Sequence, residues 1–189
     1  PPTPLAHAAL AALRERHPPS REAVVLDLGC GNGRDSRLFI DAGYTVVGID
    51  KTGEAIEAAS AALSEHFRGI VTAIEDSLSR PEWRQPALVH ASFVLPFLPD
   101  ADFRRVFDAM RAAAGRGAVL SYHLLGPRDD WAARDLRVWS REEVEKLNSE
   151  LKFHSHNEAE NDSETVVGAL KHWHVHEIVA FDDRPMASL

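Results

Sequence analysis

The sequence predicts an α/β fold, with a mostly parallel β-sheet and helices on both of its faces, in one domain that spans residues 1–189. The first observation is an alternation: short apolar runs rich in β-branched residues are followed, five times in succession, by stretches whose apolar residues recur at helical spacing. The second is the stretch from Val24 to Ser36, where an apolar run passes through three alternating glycines into an amphipathic segment, as at the start of a βαβ unit. Two further runs after the fifth alternation predict an antiparallel strand pair at the end of the sheet.

The first half of the chain alternates between helices and strands. A helix within residues 1–19 comes first, because Leu5, Ala9 and Leu13 lie at helical spacing and two prolines follow. The helix after the glycines ends near Ala42, where Gly43 favours a C-cap. The predicted elements are a helix from Leu5 to about Arg16, a strand over 24–28, a helix to about Ala42, a strand over 44–50, a helix from 52 or 53 to about Phe67, and a strand from about Ile70 to Ile74.

The second half continues the same alternation. A helix that begins at Asp100 or Ala101 would turn Phe103, Val106 and Phe107 inward. The run from Ser140 to Glu143 is a capping box, which predicts another helix start. The predicted elements are a short helix at 81–83, a strand over 87–93, the helix from 100 or 101, a strand over 118–124, the helix after Ser140, strands over 151–158 and 173–181, and a frayed tail over 182–189.

Composition narrows the class of partner. A net charge of −8 would repel a phosphate backbone and an anionic membrane surface, so we expect neither nucleic acid nor membrane as a partner. No apolar run approaches the ~18 residues of a membrane span, and the Pro-rich start lacks the features of a signal peptide. The single cysteine fits a reducing compartment. We therefore expect a cytoplasmic protein, as a monomer or a homodimer.

The glycine-rich turn after the first strand predicts a cofactor site. Its pattern is Asp27-x-Gly29-x-Gly31-x-Gly33, and the next strand ends in a second acid, Asp50, about where a ribose diol would be held. Glycine allows sharp turns and lets a ligand approach where a Cβ would collide. A dinucleotide fingerprint needs a small sixth residue where this chain has Arg34, so an NAD-linked oxidoreductase fits less well.

These residues resemble motif I and the ribose-binding acid of class I S-adenosylmethionine (SAM) methyltransferases. The loop from Gly29 to Arg34 is similar to that of tellurite-resistance methyltransferases, and the chain is similar more loosely to thiopurine-type small-molecule enzymes. The resemblance covers about residues 20 to 181. It implies a Rossmann-like, seven-stranded sheet of order 3-2-1-4-5-7-6 whose last strand is antiparallel. SAM carries no phosphate but offers an ammonium, a sulfonium and a ribose, which suit carboxylates and open backbone.

The resemblance also implies a set of cofactor-binding residues. The glycine loop would hold the methionyl part, Asp50 the ribose, and Asp76 the adenine, with Glu75 in reserve for that role. The full set is Asp27, Gly29, Cys30, Gly31, Asn32, Gly33, Arg34, Asp50, Lys51, Asp76, Ser77, Ser92 and Phe93.

The segment after the fourth strand indicates the acceptor. The run from Ser92 to Phe97 lacks the Asn/Asp-Pro-Pro-aromatic motif of DNA amino-methyltransferases. It also lacks the acid that metal-dependent catechol-type enzymes carry there. An apolar, aromatic wall remains, which suits a small molecule, and we expect no catalytic metal.

Candidate acceptor-binding residues come from several segments. The substrate pocket would include Phe97, Arg128 and Trp131, and the candidate bases are His123 and His172. His172, His174 and His176 alternate on one side of a predicted strand, but a spacing of ~6.6 Å between alternate residues separates the first and third too widely for one zinc ion, and no carboxylate completes the set. A SAM-binding regulator without catalysis is the second alternative to a methyltransferase.

Overall fold

The computed structural model describes residues 1–114, 116–126, 136–140, 142–144 and 146–147, together with the backbone of 166–172 and 175–181. The strands are β1 (Val24–Leu28), β2 (Thr45–Asp50), β3 (Phe67–Val71), β4 (Leu88–Ala91), β5 (Val119–Leu125), β6 (Val166–His172) and β7 (Val175–Phe181). The helices are α1 (Pro4–Arg16), α2 (Arg34–Asp41), α3 (Gly53–Ala62) and α4 (Asp100–Ala114), with single 3₁₀ turns at Pro81–Trp83 and Leu95–Phe97. No helix among these residues is long and apolar enough to cross a membrane.

The first five strands form a parallel sheet in the order β3-β2-β1-β4-β5. This part of the predicted order is confirmed. Because β1 lies at the centre, with β2 and β4 on its two sides, the chain leaves it at the point where the strand order reverses. In open α/β sheets ligands bind at that position, outside the carboxyl ends of the strands.

Beyond β5 the described strands differ from the expectation. β6 lies beside β5 and is parallel to it, and β7 pairs with β6 in the antiparallel direction. The sequence predicts strands over 151–158 and 173–181, with the second of them beside β5, and its apolar pattern does not predict a strand at Val166–His172. This run contains Gly168 and Ala169, which weaken a strand signal. The predicted strand over 151–158 lies outside the described residues.

The third strand begins three residues earlier than predicted, and α3 ends five residues earlier. Pairing of β3 starts at once, since the N–H of Val46 donates to the carbonyl of His66 at 2.9 Å. Arg68 interrupts the apolar pattern of this strand, which explains the error. The side chain of Arg68 is exposed at the outer strand of the five and forms an ion pair with Glu82, so the strand accommodates a charged residue.

Two apolar layers cover the two faces of the sheet. Successive strand residues point to opposite faces, so that Val25 packs with α1 and α2 whereas Leu26 packs with α4. The first layer includes Ala6, Ala9, Leu10, Leu13, Phe39 and Ile40, and the second includes Phe103, Val106, Phe107 and Met110, the inner face predicted for that helix.

The capping box at Ser140 is confirmed. The Ser140 hydroxyl accepts from the N–H of Glu143 at 3.2 Å, and the Glu143 carboxylate accepts from the N–H of Ser140 at 2.7 Å. Residues 142–144 and 146–147 are helical, as the motif predicts.

Candidate functional site

The loop after β1 is a glycine turn that hydrogen-bonds to the end of β2. Gly29, Gly31 and Gly33 all have positive φ, at 65°, 52° and 78°. The N–H groups of Gly29 and Cys30 both donate to the carbonyl of Ile49, which fixes the loop against the end of β2. A Cβ added at Gly29 would lie 2.8 Å from Val94, whereas one added at Gly31 would have no atom within 4 Å. The middle glycine therefore faces open space, and a ligand can approach its backbone there.

The acid that ends β2 lies directly against this loop. One oxygen of Asp50 accepts from the N–H of Gly31 at 3.0 Å, and the other accepts from the N–H of Thr52 at 2.9 Å. A carboxylate offers about four acceptor positions, and these bonds use two. Asp50 is half-buried, so the remaining positions are accessible at the edge of the sheet. The structure thus brings together two residues that the sequence analysis had placed in one site.

Asp27 lies underneath the loop rather than at its open side. Its carboxylate is 2% exposed and accepts from the Ser36 hydroxyl of α2 at 2.5 Å. Burial raises the pKa of Asp27 to about 6, against the opposing effects of His90 and the Ser36 hydrogen bond. Ionisation of Asp27 therefore destabilises the folded protein. The hydrogen bond between Asp27 and Ser36 holds α2 to β1.

A second buried carboxyl, Asp35, joins four elements. Its two oxygens accept from the N–H and the hydroxyl of Thr3, each at 2.8 Å, and Nε2 of His90 lies 3.2 Å away. Nδ1 of His90 lies 3.0 Å from the Ser121 hydroxyl of β5. Burial opposes ionisation of Asp35, but the contacts with His90 and Thr3 outweigh it and hold its pKa well below the usual range.

The sequence analysis missed this buried cluster, which we call the Asp35 cluster: Thr3, Asp35, His90 and Ser121. Thr3 also caps α1, because its hydroxyl accepts from the N–H of Ala6 at 3.1 Å. The cluster therefore fastens the start of α1 to the first turn of α2, immediately after the glycine loop. The available signal was a histidine in the middle of the apolar run of β4, since buried polar groups in such positions need partners.

The residues expected to hold an adenine differ in their exposure. Asp76 is exposed and Glu75 is half-buried, both in a turn after β3. Ser77 is fully buried, and its hydroxyl donates to the carbonyl of Ile74 at 2.6 Å and accepts from Nε1 of Trp83 at 3.1 Å. Asp76 is thus available to a ligand, whereas the Ser77 hydroxyl is engaged within its own loop.

The carboxyl ends of β4 and β5 bring Ser92, Phe93 and His123 into contact. The Phe93 ring stacks on the His123 ring, with centroids 4.4 Å apart, and the Ser92 hydroxyl lies 3.3 Å from Nδ1 of His123. Phe93 has φ 56°, a conformation that costs of order 1–3 kcal/mol in a residue of this size and that clusters at functional sites. His123 is 1% exposed, beneath a half-buried Phe93, and Phe97 is 47% exposed nearby in the sequence.

The other predicted site residues fall into three groups. Asn32, Arg34 and Lys51 are exposed along the loop edge, and Nε of Arg34 lies 3.3 Å from Asp35. Cys30 is buried, and burial is the main cause that raises the pKa of its thiol far above the usual range, which argues against a nucleophilic role. His172 ends β6, whose parallel pairing puts it at the same edge as the end of β5. Arg128 and Trp131 lie outside the described residues.

Metal-ligating residues do not converge within the described part of the chain, where no group of three or more His, Cys, Asp or Glu could hold a metal ion. The candidate site consists of the glycine loop, Asp50, Asp76 and the contacts between the ends of β4 and β5.

Comparison with known proteins gives one family match. A family model described as a methyltransferase domain matches residues 25–117, which include the glycine loop, Asp50, Asp76 and β4. A search of curated proteins found none that matches the chain.

Two solved structures share the fold, and a third matches part of the chain. Magnesium protoporphyrin IX methyltransferase from Synechocystis PCC 6803, solved with bound SAM, is 14% identical over 93% of this chain and 76% of that one, with a TM-score of 0.58. A Haloferax volcanii complex of the Trm112 methyltransferase activator with a methyltransferase matches at 16% identity over 76% of this chain and 66% of that one, with a TM-score of 0.56. A SAM-dependent methyltransferase structure from Listeria monocytogenes is 26% identical over 54% of this chain, with a TM-score of 0.41, and this chain spans 47% of its length.

Proposed function

We propose that the protein transfers a methyl group from SAM to a small-molecule acceptor, since a family model described as a methyltransferase domain matches residues 25–117. The observation that carries this proposal is the pairing of Gly31 with Asp50. An open glycine and a carboxylate with free acceptor positions stand side by side at the switch point of the sheet.

The residues present fit this cofactor. A Cβ at Gly31 would fill the open space beside the loop, so that backbone is suited to the methionyl part. We expect the remaining acceptor positions of Asp50 to receive the ribose hydroxyls and the exposed Asp76 to receive the adenine amino group. Asp27 and Ser77 act beneath the surface in this proposal: they hold the loops and do not touch the cofactor.

SAM would supply a methyl group: the acceptor attacks the methyl carbon while the bond from that carbon to sulfur breaks on the opposite side, and S-adenosylhomocysteine leaves. The contribution of the chain to such a reaction is alignment in a site from which water is excluded. The described residues that would face the acceptor are the apolar and aromatic ones from Ser92 to Phe97. Phe93, which has a positive φ and stacks on His123, would form the wall that fixes the acceptor.

Proton transfer is needed only for some acceptors. A thiolate or another ionised group needs no base, whereas a hydroxyl or an ammonium must lose a proton. Nδ1 of His123 lies 3.3 Å from the Ser92 hydroxyl, so a proton could pass to the buried imidazole through Ser92. His172, at the end of β6, is the second candidate base.

Charge and composition support a small molecule over a nucleic acid. The chain carries a net charge of −8, which disfavours RNA and DNA. The run from Ser92 to Phe97 is mainly apolar and aromatic, which suits a small molecule. Arg128 and Trp131 complete the proposed acceptor pocket as sequence-based candidates.

The test is formation of S-adenosylhomocysteine by the purified protein. The acceptors would be panels of thiols, amines, hydroxyl compounds and carboxylates, the low-molecular-weight fraction of a cell extract, transfer RNA and unfolded protein. We expect turnover with at least one small-molecule sample and none with RNA or protein. Transfer to RNA or protein alone would contradict the small-molecule proposal. Binding of SAM without transfer to any sample would favour a regulator.

A further inference from the structure

A groove of about 430 Å³ lies on the α4 side of the sheet, away from the glycine loop. Its apolar lining includes Leu78, Trp83 and Ala109, and its charged lining is Arg80, Arg84 and Arg116. Arg84 and Arg116 stand in the segments that lead into β4 and β5. Parallel strands begin at one edge of a sheet and end at the other, so these two arginines lie toward the edge opposite the candidate cofactor site.

Arg116 is held in place by backbone contacts. Its Nε donates to the carbonyl of Arg84 at 2.7 Å, and its Nη2 donates to the carbonyl of Trp83 at 2.9 Å. A guanidinium has five N–H donors, and these bonds use two of them. The group is therefore oriented before any ligand arrives, which lowers the entropy cost of a further hydrogen bond.

The groove is positively charged in an acidic protein. Glu82 forms ion pairs with both Arg68 and Arg80, so that one carboxylate faces two guanidinium groups. Arg84 and Arg116 have no carboxylate partner among the described residues. The groove therefore has a local excess of positive charge beside an aromatic and aliphatic floor, whereas the whole chain has a net charge of −8.

We propose that this groove binds a small organic anion with a carboxylate or phosphate head and an apolar body. Guanidinium groups pair with such heads by charge-assisted hydrogen bonds, and the floor around Trp83 suits the body. The volume lies within the range of small-molecule pockets, which favours this ligand over an extended acidic peptide. The site is separate from the proposed methyl-transfer site and does not depend on it.

The test is calorimetric titration with four probes: 2-naphthoate, its neutral analogue 2-naphthamide, inorganic phosphate and a hexaglutamate peptide. Each titration is run with and without saturating S-adenosylhomocysteine. We expect 2-naphthoate to bind at least tenfold more tightly than 2-naphthamide or phosphate, equally well in both conditions. Equal binding of naphthoate and naphthamide, displacement by S-adenosylhomocysteine, or preferential binding of hexaglutamate would overturn the proposal.

Matched variants assign the binding to the groove. Arg84→Gln should weaken 2-naphthoate binding about tenfold, the effect of losing one charge-assisted hydrogen bond. Arg104→Gln removes the same charge from an exposed position of α4 outside the groove lining and should leave the affinity unchanged. Thermal unfolding of both variants checks that they are folded. Equal affinities of the two variants for 2-naphthoate would refute the assignment.

Discussion

Asp27→Asn should stabilise the protein at neutral pH. The carboxylate of Asp27 is almost fully buried, and burial raises its pKa from an ordinary value of 3.8 to about 6. An asparagine has nearly the same shape and carries no charge to desolvate. Its side-chain oxygen can still accept from the Ser36 hydroxyl, so the contact between β1 and α2 is kept.

The magnitude follows from the pKa difference. A raised folded-state pKa means that the folded protein binds the proton more tightly than the unfolded chain, so stability is full below about pH 4 and falls as the pH rises through 6. A difference of roughly two pKa units corresponds to about 3 kcal/mol. The free energy of unfolding of the variant minus that of the wild type should therefore grow from near zero at pH 4 to about 3 kcal/mol at pH 7.5.

Urea unfolding across that pH range measures this difference. Asp41→Asn is the matched control, because Asp41 ends α2, the helix whose Ser36 contacts Asp27, but is exposed. The difference between this control and the wild type should stay small at every pH. A difference for Asp27→Asn that does not change with pH, or a variant less stable than the wild type at pH 7.5, would refute the reasoning.

Three further substitutions test the loop, the Asp35 cluster and the candidate base. Gly31→Ala places a Cβ in open space, so calorimetry should show SAM affinity falling at least tenfold while the positive φ costs only about 1 kcal/mol of stability; unchanged affinity would contradict an approach of the cofactor there. Thr3→Ala removes a helix cap and a hydrogen bond to Asp35, and should lower the free energy of unfolding by about 1–3 kcal/mol, with Thr3→Ser restoring most of it. His123→Asn should lower kcat by about 10²- to 10⁴-fold for a hydroxyl or amine acceptor and leave SAM affinity unchanged; a loss of SAM affinity as large as the loss of kcat would indicate a structural role instead.

Local signals in the sequence were sufficient for most of the first 125 residues. Helix α4 could be predicted from the spacing of Phe103, Val106 and Phe107, because this spacing puts all three side chains on the helix face that packs against the sheet. The glycine loop and Asp50 could be paired from sequence, since the ends of neighbouring parallel strands meet at one edge.

Tertiary contacts account for the errors. The start of β3 depended on pairing with β2 and on an ion pair of Arg68 with Glu82, which no local pattern shows. The contacts of Asp35 with Thr3 and His90 join residues more than 30 positions apart in the chain. The same holds for Asp27: its position after an apolar run indicated a ligand-facing acid, but the strand's alternation turned its side chain toward α2.

The central claim is that SAM binds beside Gly31 and is held by Asp50, and calorimetric titration of SAM into the wild type and Asp50→Ala tests it most directly. Loss of charge-assisted hydrogen bonds of about 1.5–3 kcal/mol predicts a Kd roughly 10- to 150-fold higher for the variant. Asp41→Ala, which removes an exposed carboxylate elsewhere, should bind SAM like the wild type. Equal affinities of the wild type and Asp50→Ala for SAM, or binding of NAD in preference to SAM, would contradict the claim.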